Sequence, residues 1–306
     1  MLDHTFKCGL VALIGPANAG KSSLLNAYIG QKVAIVTPKP QTTRNRISGI
    51  LTDDETQVVF FDTPGIHKKR GAMNRFLLQS ALNALTGADA IVLVLDSSMY
   101  IQKPHLLDKD LSLLKSHVLK ANRPILIAAN KTDLIRDKKT LLPFFERLQE
   151  FFPDAELFPI SCRSEDGLEP LLAKIKSLLP LSPPLYPEDQ ISTAPLRFMA
   201  SEIVREKLFL NLRQELPYST TVIIESWDEE SQPGKVRINA LIYLARKSHK
   251  SIVIGKGGRN LKQIGTDARQ EIQELLEMPV HLELWVKVKE SWTENEPFLR
   301  SIGLSE

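Results

Sequence analysis

The sequence predicts an α/β fold, a doubly wound and mostly parallel sheet, followed by a smaller α+β unit. Three observations predict it. Short apolar runs alternate with helix-periodic stretches from Cys8 to about Pro180. A proline-rich stretch then interrupts the pattern, and strands and helices resume beyond it in a different order. The length of 306 residues suits two domains at roughly 150 residues each.

In the first region Val11–Ile14, Gln57–Phe61, Ala90–Leu95, Pro124–Ala129 and Ala155–Ile160 read as strands, most of them buried on both faces. Lys21–Ile29, Arg75–Leu85 and Lys138–Phe151 carry helical periodicity. On such a sheet ligands bind beyond the carboxyl ends of the strands. Residues 181–195 hold four prolines in fifteen positions and read as a linker or extended connection. After it Leu196–Leu216 is helical, Thr220–Trp227 and Val236–Leu244 are strands, Gly258–Leu276 is helical, and Val280–Val288 closes with alternating apolar residues. The division expected is residues 1–180, a connection at 181–195, a second domain at 196–290 and a C-terminal tail at 291–306.

Composition narrows the class. With 43% hydrophobic and 25% charged residues, disorder, collagen and disulfide scaffolds are excluded. Cys8 and Cys162 are too few for a disulfide framework, which points to a reducing compartment. The apolar run Ala90–Leu95 is far short of the ~20 residues that span a bilayer. Gly9–Ile14 lacks a basic leader and a cleavage site, so a cytosolic protein is expected. The net charge of +3 says little, but its distribution says more. Between Ser231 and Thr266 stand eight basic residues and no acidic one. A field of that kind attracts polyanions.

Gly15-Pro16-Ala17-Asn18-Ala19-Gly20-Lys21-Ser22, with Ser23 after it, fits a phosphate-binding loop between a strand and a helix. Its backbone N–H groups and the helix N-terminus would cradle phosphate, Lys21 would reach the β- and γ-phosphates, and Ser22 would ligate Mg²⁺. Asp62-Thr63-Pro64-Gly65 follows a strand: Asp62 would hold Mg²⁺ through water, and the Gly65 N–H would meet the γ-phosphate. Asn130-Lys131-Thr132-Asp133 follows another strand and decides the base. The Asp133 carboxylate can accept from N1–H and the exocyclic amine of guanine, and adenine offers neither donor there. Ser161-Cys162 would support guanine O6 through a backbone N–H.

These motifs, in this order, resemble the translation-factor-like GTPases, and Gln41-Thr42-Thr43-Arg44-Asn45 is similar to the switch segment of their Era-like branch. The resemblance implies that Thr43, less so Thr42, joins Mg²⁺ when GTP is bound. Ile66 stands where Ras-like enzymes carry the Gln that orients the attacking water, so unaided hydrolysis is expected to be slow. Asn18 is the compensating residue, since in related enzymes the Asn at this position helps hold K⁺ against the phosphates. Lys21, Thr43, Gly65 and Asn18 are therefore the expected catalytic set.

Gly255-Lys256-Gly257-Gly258 lies inside the acid-free basic stretch, with Arg259, Lys262 and Lys250 nearby. It fits the GXXG loop with which a KH module clamps about four nucleotides. The helix-strand-strand-helix-helix-strand order resembles a type II KH domain. With the GTPase region ahead of it, the whole chain is similar to the Era-like branch. That resemblance implies a monomeric switch binding GTP, GDP and Mg²⁺, with K⁺ a further ligand. It also implies the 16S ribosomal RNA 3′ end and the 30S subunit as partners, and peripheral association with the inner membrane face. A GTPase of large-subunit assembly or tRNA modification, and an RNA-binding protein that holds GTP structurally, remain alternatives. His4, His67, His105, His117, His249 and His281 show no metal-like spacing, and His249 reads as a surface residue. Trp227, Trp285 and Trp292 read as packing residues.

Overall fold

The computed structural model describes residues 5–66, 71–230 and 234–304; His4 and His67 lie outside them. The first unit runs β1 (Lys7–Ile14), α1 (Lys21–Ile29), β2 (Ile47–Thr52), β3 (Thr56–Asp62), α2 (Ala72–Thr86), β4 (Ala90–Asp96), α3 (Ser97–Gln102), α4 (Pro104–Lys120), β5 (Ile125–Asn130), α5 (Leu141–Phe151), β6 (Glu156–Pro159) and α6 (Leu168–Leu178). Its six strands lie in the order β2-β3-β1-β4-β5-β6. Only the β2–β3 pair is antiparallel.

Helices cover both faces, which gives two apolar cores either side of the sheet. That is why β4 is a continuous apolar run with hardly any exposed surface. β1 sits at the switch point of the strand order, so the loop leaving its carboxyl end opens into a crevice. β2 escapes sequence reading because it is short, begins among polar residues and contains Gly49. Helices α3, α4 and α6 also emerge beyond the three helical segments named from the sequence in this unit.

The second unit runs α7 (Leu196–Asn211), β7 (Thr220–Asp228), β8 (Val236–Leu244), α8 (Lys250–Ile254), α9 (Arg259–Leu276), β9 (Val280–Val288) and α10 (Glu296–Ser301). Its sheet is β7-β8-β9, with β8 antiparallel to β7 and parallel to β9. One sheet face and the apolar sides of α7, α8 and α9 share a third core. On the other face Trp285 is 57% exposed, so it is not the packing residue expected. His249 is buried beside Ser219, with Nδ1 3.2 Å from Oγ, rather than lying on the surface. Among the described residues no helix is long and apolar enough to cross a membrane.

The proline-rich stretch is no free tether. The Ser182 N–H donates to the Phe6 carbonyl and the Ile50 N–H to the Ile191 carbonyl, which closes the outer edge of β2. Gln57, with no exposed surface, accepts the Leu185 and Tyr186 N–H groups at 2.7 and 3.0 Å and donates to the Tyr186 carbonyl at 2.8 Å. The C-terminal residues are equally engaged. Trp292 is fully buried, and it packs with Leu299 and Leu304 against Met73, Phe76 and Leu77 of α2. Glu294 accepts from the Ala72 N–H at 3.0 Å, giving α2 the N-terminal carboxylate that its own first turn lacks.

Replacing Gln57 with Ala leaves two partly buried backbone N–H groups, those of Leu185 and Tyr186, without their acceptor. The expected loss is about 2 kcal/mol or more, with faster proteolytic nicking within residues 181–195. Unchanged unfolding and nicking would show that water or rearrangement satisfies the strap.

Candidate functional site: a nucleotide crevice and a basic groove

The turn after Ile14 delivers the chain into α1 at Lys21, whose ammonium is buried. Its Nζ donates to the carbonyls of Gly15 at 3.2 Å and Pro16 at 2.9 Å. Burial pushes the Lys21 pKa down to about 8, against the opposing pull of the Asp62 charge. Gly65 closes over the same loop. A Cβ there would stand 2.6 Å from Ala17 Cα, so only glycine permits the approach. A cavity of about 320 Å³ results, lined by Ala17, Asn18, Gly20, Lys21, Ser22, Ser23, Gly65 and Lys131, and by residues of the α1–β2 loop. From that loop Ile35, Val36, Thr37 and Pro38 carried no sequence signal; only Gln41 to Asn45 did. Thr63, Pro64 and Ile66 do not line the cavity. The Thr63 hydroxyl donates to the Leu13 carbonyl, and Ile66 is buried in the core.

Three oxygens meet at the floor of the crevice. Ser22 Oγ is 2.5 Å from Asp62 Oδ2 and 2.9 Å from Thr43 Oγ1, and Thr43 Oγ1 is 3.3 Å from the same carboxylate oxygen. Asp62 has no exposed surface, and among the described residues its Oδ1 has no hydrogen-bond partner. Burial pushes its carboxyl pKa up, while the Lys21 charge pulls it down. An orphaned buried carboxylate oxygen is costly unless a cation meets it. One carboxylate and two hydroxyls are the hard oxygen donors that Mg²⁺ takes. The residues present therefore fit that ion. Thr42 is turned away, bonded to Thr37 Oγ1 at 2.6 Å and to the Lys39 carbonyl at 2.8 Å.

The base end is held together by Asn130, which is 2% exposed. Its amide donates to the Ala19 carbonyl at 2.9 Å, and its Oδ1 accepts from the Lys131 and Cys162 N–H groups at 2.8 and 3.1 Å. One side chain thus ties the phosphate loop to both base-side turns. Ser161 Oγ donates to Asp133 Oδ1 at 2.8 Å and aims the exposed carboxylate. Of the two backbone N–H groups of Ser161-Cys162 expected to offer one to guanine O6, that of Cys162 is engaged with Asn130 and that of Ser161 with the Asp166 carbonyl in this structure. Lys131 pairs with Asp96 at 2.5 Å, and Thr132 is buried against the Ile160 carbonyl.

In the second unit the glycine-rich loop joins α8 to α9. Gly257 has φ 59°, a left-handed conformation that suits glycine, and a Cβ there would meet nothing within 4 Å. Lys250, Lys256, Arg259 and Lys262 are exposed. Beside the loop runs a groove of about 400 Å³ between α9 and β9. Gly258, Lys262, Thr266 and Arg269 form its α9 wall, and Leu282 and Leu284 of β9 its apolar floor. Lys250, at the start of α8, does not line it. Thr266 and Arg269 were legible in principle, since they follow Lys262 at helical spacing. Leu282 and Leu284 were read only as strand core.

A phosphate-type loop, three oxygens gathered at its floor and an exposed carboxylate after β5, all on a doubly wound sheet, are the parts of a P-loop GTPase, here joined to a KH module. Residues 10–131 match the family model of 50S ribosome-binding GTPases, and residues 215–293 that of KH domains. The chain is 59% identical to GTPase Era of Nitratidesulfovibrio vulgaris (strain DP4) over 305 residues, covering 100% of this chain and 99% of that protein. It is 41% identical to GTPase Era of Trichlorobacter lovleyi, covering 99% of each. Two crystal structures, Aquifex aeolicus Era bound to GDP·AlF4⁻ and Era in complex with MgGDPNP and nucleotides 1506–1542 of 16S ribosomal RNA, match it alike. Each has a TM-score of 0.93 and 36% identity and covers 98% of this chain. The chain belongs to the Era family of GTPases, and it is an enzyme that hydrolyses GTP.

Phosphate oxyanions favour charged Lys21, so bound nucleotide raises its pKa above the value of about 8 in the free site. Above pH 8 nucleotide binding then takes up a proton, and affinity falls as pH rises. Calorimetry of GDP binding at pH 9, in buffers of different ionisation enthalpy, should show uptake approaching one proton. Identical heats in all buffers would rule the coupling out.

Proposed function

We propose that this chain is a GTP-hydrolysing switch whose KH groove grips the 3′ end of 16S ribosomal RNA during maturation of the small ribosomal subunit. The reading includes a cytoplasmic location, with any membrane association peripheral. The observation that carries it is the pairing of an oxygen-lined nucleotide crevice with a basic, glycine-gated groove. That pairing occurs in a chain that matches, over 98% of its length, an Era solved with MgGDPNP and 16S ribosomal RNA. The division of labour follows the elements: residues 1–180 for GTP, 181–195 as a docked strap, 196–290 for RNA and 291–306 as the segment returning to α2.

Within the crevice Ser22, Thr43 and Asp62 would hold Mg²⁺, which when bound neutralises charge on the β- and γ-phosphates. Lys21 leaves the Gly15 and Pro16 carbonyls for phosphate oxygens, and the Gly65 N–H lies on the γ-phosphate side of the loop. Asp133, aimed by Ser161, selects guanine. Ile66 is apolar and packed in the core and cannot stand in for the missing Gln, so unassisted hydrolysis is slow. Asn18 Nδ2 donates to the Pro38 carbonyl at 2.6 Å. The amide therefore presents its N–H to Pro38 O, and Asn18 would hold K⁺ through Oδ1 once the side chain turns; bound there, the ion would add positive charge beside the phosphates.

In the groove, phosphates approach over Gly257 and meet Lys256 and Arg259, while bases lie on Leu282 and Leu284. Changing Lys256 and Gly257 together to Asp puts two carboxylates on that path. Affinity for single-stranded RNA of the 16S 3′ end should fall more than tenfold, on the order of 1.4 kcal/mol or more. GTP binding should persist. RNA affinity within twofold of wild type, in a folded variant, would move the RNA site elsewhere.

Hydrolysis should run faster in K⁺ than in Na⁺ at equal ionic strength, and Asn18→Ala should abolish the difference. Equal rates in the two salts for wild type would remove K⁺ from the site.

A further inference from the structure

The α1–β2 loop carries Thr43 yet has no secondary structure of its own over residues 31–46. Its first part is held by α1, where Asn26 Oδ1 accepts from the Val33 and Ala34 N–H groups, both at 3.0 Å. From Val36 onward several partners come from α7 and the residues after it. Glu206 Oε1 accepts from the Val36 N–H at 2.9 Å, and Lys39 Nζ donates to the carbonyls of Phe209 and Leu212. Arg205 Nη2 donates to the Thr42 carbonyl at 2.5 Å. Arg44 reaches the carbonyls of Thr220 at 2.7 Å, Tyr218 at 3.2 Å and Pro217 at 3.3 Å. Thr43 is therefore bracketed, one residue to each side, by buried guanidinium contacts between the loop and the second unit.

We infer that Arg205, held in place by Glu202, is a positioning residue for GTP binding: by fixing the Thr42 carbonyl it presents the Thr43 hydroxyl to the metal position. The inference rests on the reading that Thr43 ligates Mg²⁺ in the GTP state. Arg205 is 2% exposed and Glu202 6%. The carboxylate accepts from both Nε (2.7 Å) and Nη2, a fork that leaves the guanidinium plane little freedom. Its carbon also stands 5.3 Å from the centre of the Phe209 ring, above which Arg44 is at 5.6 Å. A guanidinium so confined donates to a main-chain carbonyl in one geometry only. The Thr42 hydroxyl is spent on Thr37 and Lys39, so the Thr42 peptide cannot turn without breaking side-chain and main-chain bonds together. The next residue then places Oγ1 2.9 Å from Ser22 and 3.3 Å from Asp62. A lysine at 205 offers a point charge without the fork and would hold the carbonyl loosely.

GDP binding has no call on Thr43, so the two nucleotides separate this role from general stability. The test measures GDP and MgGDPNP affinity, and the Mg²⁺ concentration that half-saturates GDPNP binding, on the full chain. Two altered forms are compared, Arg205→Lys and the charge-free pair Glu202→Gln with Arg205→Met, because a buried pair removed together leaves no stranded ion. In each, GDP affinity should stay within twofold while MgGDPNP affinity falls tenfold or more and the Mg²⁺ requirement rises. Thr43→Ala should show the same split, and adding Arg205→Lys to it should cost nothing further. If both nucleotides weaken together, or the GDPNP-to-GDP ratio stays within twofold while Thr43→Ala shifts it, Arg205 is structural and the proposal fails. If Thr43→Ala itself leaves the ratio unchanged, the metal-ligand reading fails and takes the proposal with it. Should the charge-free pair not fold, Arg205→Lys decides alone.

Discussion

A carboxylate buried with one oxygen unpaired sets the terms for the nucleotide half of the molecule. Asp62 stands at the carboxyl end of β3, without exposed surface, and Oδ1 has no partner among the described residues. Such a group is tolerable only where positive charge is close or about to arrive. The Lys21 ammonium supplies part of that compensation, and its own pKa is lowered by the same burial. Ser22 and Thr43 supply hydroxyls to the other carboxylate oxygen. The floor of the crevice thus gathers a buried carboxylate, a buried ammonium and two hydroxyls, the charges and donors that the proposed magnesium nucleotide would answer.

The base half is governed by hydrogen-bond economy rather than charge. Asn130 is nearly inaccessible, and its three bonds join loops that follow β1, β5 and β6. Its contribution to nucleotide binding is to hold the phosphate loop and the base-reading turns in register. Asp133, the carboxylate proposed for guanine contact, is exposed and aimed by Ser161. The sheet makes this possible because parallel strands end on the same side, so loops distant in sequence emerge together.

The two units are joined by more than their connection. The strap at 181–195 closes the β2 edge, the C-terminal segment caps and packs on α2, and α7 holds the loop that carries Thr43. Buried arginines at such a junction bring charge repulsion as well as bonds: burial and the nearby Arg205 both lower the pKa of Arg44, and Glu202 offsets them. Junctions of this kind join the geometry of the nucleotide loop to that of the RNA-binding unit.

Much of this was legible in the residues. Gly15 to Ser22, Asp62 to Gly65 and Asn130 to Asp133 announce their chemistry because phosphate, metal and guanine contacts demand local backbone and donor sets at fixed spacing. Gly255 to Gly258 does the same for a nucleic-acid backbone. The buried strands were legible because burial on both faces imposes continuous apolar runs. β2 was not, since an edge strand with a glycine lacks that pattern, and Trp285 was misread because alternation shows two faces without saying which is covered. The nucleotide chemistry and the presence of an RNA-type loop were thus determined by sequence alone. Tertiary structure alone decided which threonine faces the metal position, that Asn130 is a staple, that Leu282 and Leu284 floor the groove, and that Arg205 touches Thr42. The physical reason is that those roles depend on contacts between residues remote along the chain, which no local spacing encodes.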